Sequence, residues 1–374
     1  MNAVESRPLT ADEIEAFGAE VDALRAEVLA DLGQADVDHI RGMMRLQRRS
    51  EAAGRLLLAF GFGPLTFVGG AGALALAKIL ENMEIGHNVM HGQYDWTGDP
   101  ELQGLRYEWD NVCTGDNWRH YHNVEHHTYT NILGKDRDIG YDLLRVTAEQ
   151  PWRPGHLVQP LSALALAALF QWGVGMHDLR PLDPEARQEP LGSKWARWSP
   201  FLRKAGWQIG KDYVFYPVLA FWNAPRVLLG NLLANGTRNV WAFSVIFCGH
   251  FPDGVAFFEE ETLERETRGG WYLRQLNGSV NFDGPRWMHI LSGHLSHQIE
   301  HHLFPDIPAH RYPTMSMRMR EICERYGQAY NTGSLPRQLW SVARNIVRLS
   351  LPGGRAGRPT WDSGAPQGAE PQAA

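Results

Sequence analysis

Polar and apolar residues fall in long blocks along this chain. Residues 1–50 are mostly polar, yet Ile14, Phe17, Val21, Leu24 and Val28 recur at the spacing of one helix face. Thr10 followed by Glu13 is a capping-box pattern just ahead of them. An amphipathic helix is predicted there, packed on the rest of the protein in preference to a lipid surface. Residues 56–77 run without a charge, long enough for a candidate membrane span. Gly61, Gly63 and Pro64 interrupt that run. A short first helix, a break near Pro64 and a second helix reaching His91 are expected. Residues 92–158 are polar. Residues 160–174 are apolar but short and read as an interfacial helix, because the basic stretch 178–212 follows. Residues 213–234 and 240–251 are apolar, with Asn235 and Gly236 between them as a turn. They are expected to form a hairpin that returns the chain at His250. Residues 316–327 read as a surface helix.

The fold class that follows is all-α: an integral membrane helical domain with a cytoplasmic helical cap. The boundaries are 1–50 for the polar helical region, 51–315 for the membrane domain, 316–350 for a C-terminal helical segment and 351–374 for a disordered tail rich in Gly, Pro, Ala and Gln. Arg41, Arg45, Arg48, Arg49 and Arg55 precede the first apolar run and place that side in the cytoplasm. Composition changes the picture little. The net charge of −6 gives no reason to expect nucleic acid, and 14 Trp and 11 Tyr suit an interfacial belt. Cys113, Cys248 and Cys323 form no CxxC pair, which excludes a disulfide framework or a Cys-ligated iron–sulfur cluster.

The chemistry lies in the histidines. HNVMH (87–91), HNVEHH (122–127) and HQIEHH (297–302) hold eight of the 16 histidines. On a helix, positions i and i+4 share a face, so HxxxH offers two imidazoles to one metal. Three such boxes hold more nitrogens than one tetrahedral ion uses, which points to two metals. Imidazole suits Zn, Cu, Fe and Ni alike, so ligand type does not choose the metal. Glu84, Glu125, Glu300 and Asp138 are candidate partners for the second ring nitrogens. Asn123, His120 and His294 stand close to the boxes, whereas His39, His156, His177, His289 and His310 read as structural.

HNVMH, HNVEHH and QIEHHLFP resemble the three histidine boxes of the membrane fatty acid desaturases, with the boxes and spacers covering roughly residues 55–315. Gln298 stands where many members have histidine, a form similar to the acyl-CoA and linoleoyl-CoA-desaturase-like branch. The resemblance implies a di-iron centre, O2 as co-substrate and a cis double bond introduced into an acyl-CoA or lipid acyl chain. It implies His87, His91, His122, His126, His127, His301 and His302 as ligands, with Gln298 a weaker one, His297 a substitute beside it, and His250 the further ligand at the end of the last span. It also implies a multi-pass protein of the plasma membrane with its boxes on the cytoplasmic side. No His-Pro-Gly-Gly haem motif is present, only Leu351-Pro-Gly-Gly354. Electrons are therefore expected from a separate ferredoxin or a flavin reductase using NAD(P)H. Arg265, Arg268, Arg274 and Arg286 are candidates for CoA phosphates.

Other readings are weaker. His122–His126 and His297–His301 match the H-x-x-E-H of a zinc peptidase, which leaves the remaining box and the His doublets unexplained. A soluble di-iron carboxylate protein needs two Glu-x-x-His pairs, and Glu84–His87 is the one found. Hydroxylase or ketolase chemistry on the same boxes remains an alternative within the family.

Overall fold

The computed structural model describes residues 6–181 and 184–353, without the side chains of residues 184 and 185. Most of the tail expected at 351–374 lies outside the described residues. Helix α1 (Ala11–Ala30) begins with the expected capping box on Thr10. It buries Phe17, Val21 and Leu24 against α9 (Arg268–Asn277) and α11 (Tyr312–Tyr326). A Cβ on Gly18 would stand 2.8 Å from the Gly269 backbone, so this crossing needs glycine on both sides. The surface helix expected at 316–327 is α11, which ends on Gly327 with φ 63°.

Two long helical hairpins form the centre of the molecule. The first is α2 (Gln34–Phe60) and α3 (Gly63–Met90), broken at Gly61 and Phe62, with Pro64 in the first turn of α3. That break is where the glycines and proline place it. The second is α7 (Leu191–Ile209), continued through Gly210–Phe215 and Tyr216–Leu219, and α8 (Ala224–His250). Here the sequence expectation fails. Asn235 and Gly236 lie inside one unbroken helix of 27 residues, and the chain turns instead at Phe221–Asn223. Asn235 Nδ2 reaches Asp212 Oδ2 at 3.0 Å and Tyr213 Oη at 3.1 Å, so tertiary bonds hold it in the helix. The hairpin tips meet. Asn223 Nδ2 and Trp222 Nε1 donate to the free carbonyls at the end of α2, including Ala59 at 2.8 Å.

Between the two hairpins in sequence, α5 (Gln159–Ala168) and α6 (Phe170–His177) meet at a bend of 94° at Leu169. They form no straight span. Among the described residues, Gly63–Met90 alone has the length and mean hydropathy of a crossing helix. The bundle surface is nonetheless apolar. Leu65 is 87 % exposed and Phe62 83 %, and Leu56, Val218, Phe221 and Leu232 continue the belt. The strands β1 (Asn281–Asp283) and β2 (Thr332–Ser334) pair in parallel, and α12 (Leu335–Leu349) closes the C-terminal side.

Charges sit inside this bundle. Lys78 Nζ lies 2.7 Å from Asp212 Oδ2, and Arg55 lies 3.1 Å from Asp212 Oδ1, all three side chains nearly closed to solvent. Arg55 thus belongs to the interior, unlike the flanking role its position in the basic cluster suggests. Removing one partner of a buried pair leaves the other charge uncompensated. Asp212→Ala should cost about 3–5 kcal/mol, read as a lowered Tm of the detergent-solubilised protein. An unchanged Tm would show that the pair is dispensable.

On the other side of the molecule His310 lies 2.9 Å from Asp36 and stacks on His39 at 4.3 Å. Burial, aided by His39, pushes the His310 pKa down to about 4 against the pull of Asp36. The folded state there binds fewer protons than the unfolded chain, whose imidazole titrates near 6.5. The contribution is present above pH 6.5 and is lost as pH falls toward about 4. His310→Gln should flatten a Tm-against-pH profile over that window; equal acid slopes in both proteins would contradict it.

Candidate metal centre

The three boxes arrive on three different elements. The first lies at the end of α3, where the helix widens to a π-helix over Leu80–His87. The second lies on α4, a π-helix over Arg119–His126 that runs on into His127–Tyr129. The third lies on α10 (Gln298–Leu303). π-turns inside helices concentrate at functional sites, because they redirect side chains from the α-helical stripe. Here they change which rings meet. His122 faces His126 at 5.3 Å and His127 at 5.0 Å, so all three histidines of the second box point inward.

Eight histidines converge. The ligand atoms of His87, His91, His122 and His301 all lie within 4.8 Å of one another, as do those of His126, His250 and His302. His127, His301 and His302 form a group that joins the two sets. His250 is the last residue of α8, and its ring meets those of His126 at 4.8 Å and His302 at 4.9 Å. Gln298 lies beside it, with Nε2 2.9 Å from His250 Nε2 and Oε1 left without a partner. Glycine is needed next door, since a Cβ on Gly249 would come within 2.8 Å of Gln298 Cγ. His297 is the exception. It precedes α10, its ring faces His289 at 4.9 Å, and its Nδ1 lies 3.2 Å from Ser296 Oγ. His297 ends a 3-10 turn, Leu295–His297, and its own φ of −110° and ψ of 59° break from helical geometry before α10, which turns the ring away from its neighbours in the box.

The chemistry of the donor set suits a metal. His87, His91 and His122 each leave a buried Nε2 without a hydrogen-bond partner, and His127 and His301 leave both ring nitrogens so. Buried polar atoms are rarely left alone. Burial, with repulsion among the rings, holds His127, His301 and His302 well below the usual imidazole range, so each is neutral and keeps a lone pair. His126 runs the other way. Burial works downward, but Asp136 and Asp138 outweigh it and carry its pKa to about 9. Metal binding there displaces a proton.

Second ring nitrogens are anchored from outside. His126 Nδ1 lies 3.0 Å from Asp136 Oδ2, and Asp136 itself accepts from the Asn131 N–H at 2.8 Å. His302 Nδ1 donates to Gln275 Oε1 at 3.1 Å, and His87 Nδ1 to Asn88 Oδ1 at 3.0 Å. Such bonds fix the tautomer and leave Nε2 free for metal. Asp138 lies 3.7 Å from His126 Nδ1 and 3.0 Å from His177 Nε2, one step from the cluster as expected. The other expected carboxylates serve elsewhere. Glu125 takes Arg137, and Glu300 takes Asn281 and Tyr330. Glu84 accepts from His39 Nε2 at 2.7 Å and His294 Nδ1 at 3.0 Å, which ties α3 to the loop before the third box. Asn123 donates to the Met90 carbonyl at 2.9 Å and joins the first two boxes. His120 is largely exposed, with Nδ1 3.4 Å from Asp178. Asp136, Asn88 and Gln275 are not among the residues the sequence singles out, and His177, read there as structural, meets Asp138. Asp136-Arg137-Asp138 stood close enough to the second box to be noticed, but loop spacing does not say which carboxylate turns inward. Arg274 and Arg268, candidates for phosphate, are occupied by Glu266 and Asp22.

A cavity opens against the cluster, bordered by His87, His122, His126 and His250. Its walls near the rings are apolar, among them Trp118, Phe170, Val174, Ala242 and Ile246. Trp118 also stacks on His122 at 4.4 Å.

A helical fold that gathers eight histidines beside an apolar cavity defines a class: proteins able to hold metal at a site that opens on apolar space. Comparison with known proteins narrows it. Residues 62–334 match the fatty acid desaturase family. The chain is 44 % identical over 348 residues to an NADPH-dependent stearoyl-CoA 9-desaturase of Mycobacterium tuberculosis, covering 92 % of this chain and 82 % of that protein. It is 26 % identical over 293 residues to an sn-1 linoleoyl-lipid 6-desaturase of Synechocystis, 72 % of this chain and 77 % of the relative. At 23 % identity over 231 residues, human fatty acid desaturase 3 matches 62 % of this chain and 49 % of its own length. The chain belongs to the fatty acid desaturase family.

Asp136 is the anchor most open to test. Asp136→Asn should lower metal affinity about 10–100-fold, measured by chelator competition, whereas Glu125→Gln, which touches Arg137, should leave it unchanged. Equal affinities in both variants would remove Asp136 from the site.

Proposed function

We propose that this protein is an oxygen-dependent acyl-CoA desaturase. A –CH2–CH2– unit of a saturated acyl chain, O2, two electrons and two protons give a cis –CH=CH– unit and two waters. The observation that carries this is the convergence of eight neutral or anchored imidazoles on one end of an apolar cavity, in a chain 44 % identical to a stearoyl-CoA desaturase.

His87, His91, His122 and His301 would hold one iron, and His126, His250 and His302 the other, with His127 at their junction and Gln298 beside His250. Two irons supply the reduction of O2 and the removal of hydrogen from an unactivated carbon, which no side chain performs. The chain's own residues do the rest. Asp136, Gln275 and Asn88 hold ring tautomers. Trp118, Phe170, Val174 and Ile246 press the acyl chain against the cluster and exclude water. Hydroxylation on the same boxes is less favoured, because the relatives are desaturases.

Electrons would arrive from a separate ferredoxin or flavin reductase drawing on NAD(P)H. We place the protein in the plasma membrane, with the α2–α3 and α7–α8 hairpins crossing it and the boxes at the cytoplasmic face. The exposed apolar belt on both hairpins and their joined tips support that placement. We further assign residues 1–50 to a docked helical arm, 51–315 to the desaturase domain, 316–350 to a helical closure and 351–374 to a tail.

The test is expression in a host that makes no unsaturated fats, followed by mass spectrometry of its lipids. A new acyl species lighter by two hydrogens is expected. His126→Ala and His301→Ala should abolish it together with bound iron. A product heavier by one oxygen, or full turnover in either variant, would overturn the assignment.

A further inference from the structure

The cavity that starts at the histidines has a second end of different chemistry. His250, Ile246, Ala242, Asn239 and Arg238 line it in succession along α8. At about 1.5 Å per residue, Arg238 lies roughly 18 Å from His250 along the helix axis. Arg238 is 1 % exposed. Its guanidinium donates to Asn239 Oδ1 and to Asn235 Oδ1, each at 3.2 Å, and both acceptors are neutral amides.

None of the nearby carboxylates pairs with it directly. Asp212 is taken by Lys78 at 2.7 Å and Arg55 at 3.1 Å. Asp110 is paired with Lys211 and lies 3.6 Å from Lys78, and Glu51 lies 3.3 Å from Arg55. Arg55, Lys78 and Lys211 thus each have a carboxylate partner, and Glu81 adds a further buried carboxyl beside Asp110 and Glu51. Of these four cations Arg238 is the one with no carboxylate in ion-pair reach among the described residues, Asp110 and Asp212 acting on it from farther away. A guanidinium out of water without a counter-charge is costly. An ionisable group inside a membrane bundle and open to a cavity marks a ligand of opposite charge.

We infer that the Arg238 end of the cavity is a carboxylate subsite: the protein takes an unesterified long-chain fatty acid, its carboxylate on Arg238 and its tail running toward the histidines. This rests on the reading of the cavity as an acyl cavity. It is separate from acyl-CoA turnover, because a thioester carbonyl carries no negative charge to meet the guanidinium. Gln171 and Asn82, which also line the cavity, add amide groups alongside its apolar walls.

The test compares radiolabelled palmitate with hexadecanol, which has the same tail and a neutral head, by equilibrium dialysis against the full-length protein in detergent. Palmitate should bind roughly tenfold or more tighter, the range of a charge-assisted hydrogen bond. Arg238→Met should erase that preference, and Arg238→Lys should keep part of it. Equal binding of the two ligands by the unaltered protein, no binding of either, or a preference that survives Arg238→Met would each overturn the subsite. The first comparison needs no variant, so it holds even if Arg238→Met does not fold. Stearoyl-CoA desaturation is followed on the same preparation. Its absence beside an intact palmitate preference would sink the proposed function and leave the subsite; the reverse result would sink the subsite alone.

Discussion

The arrangement depends on repulsion between lone pairs. Neutral imidazoles packed in one dry place turn electron-rich nitrogens toward each other, and burial denies His127, His301 and His302 the proton that would relieve it. His127 and His301 keep both nitrogens unsatisfied, which a fold without a cation has no means of stabilising. A metal ion resolves the conflict at once by accepting several lone pairs. The surrounding structure is arranged to leave no cheaper solution. Asp136, Gln275 and Asn88 occupy the outer nitrogens, so the inner ones cannot rotate away.

Convergence on that scale needs helices that stop being regular. A straight α-helix carries HxxxH on one stripe, and a histidine at the next position points about 100° away. The π-segments Leu80–His87 and Arg119–His126 widen the turn where extra ligands must face inward. Local pattern reads the boxes because their residues are rare and regularly spaced. It does not read the widening, because no residue type marks a π-turn. His297 shows the cost of that blindness: adjacent in sequence to Gln298, it lies before the helix begins and faces His289 instead.

Much of the fold was legible for a similar reason. The capping box of α1, the break at Gly61 and the end of α3 at the first box are local signals with local causes. Asn235-Gly236 shows the limit. The pair favours a turn in isolation, but Asn235 sits opposite Asp212 and Tyr213, and those bonds hold the helix through it. The partner lies on another helix, so no window of sequence contains the reason. Asp136 repeats the lesson at the site: one of two aspartates in a loop becomes the anchor of His126 through folding of residues 131–138 around it.

The polar layer inside the bundle ties fold to substrate. A well-packed apolar interior is commonly as stable as a buried ion pair. Lys78, Asp212, Arg55 and Arg238 persist there at a desolvation cost. The Arg55 and Lys78 contacts with Asp212 tie α2 and α3 to the second hairpin, and so help fix the separation of the walls between which the cavity lies. Arg238, on the wall itself, sets a charged end to an otherwise apolar passage. A chain lying there is bounded by histidines at one end and a cation at the other. For the proposed fatty acid ligand, the spacing between those two limits, set by turns of α8, determines which part of its tail rests against the histidines.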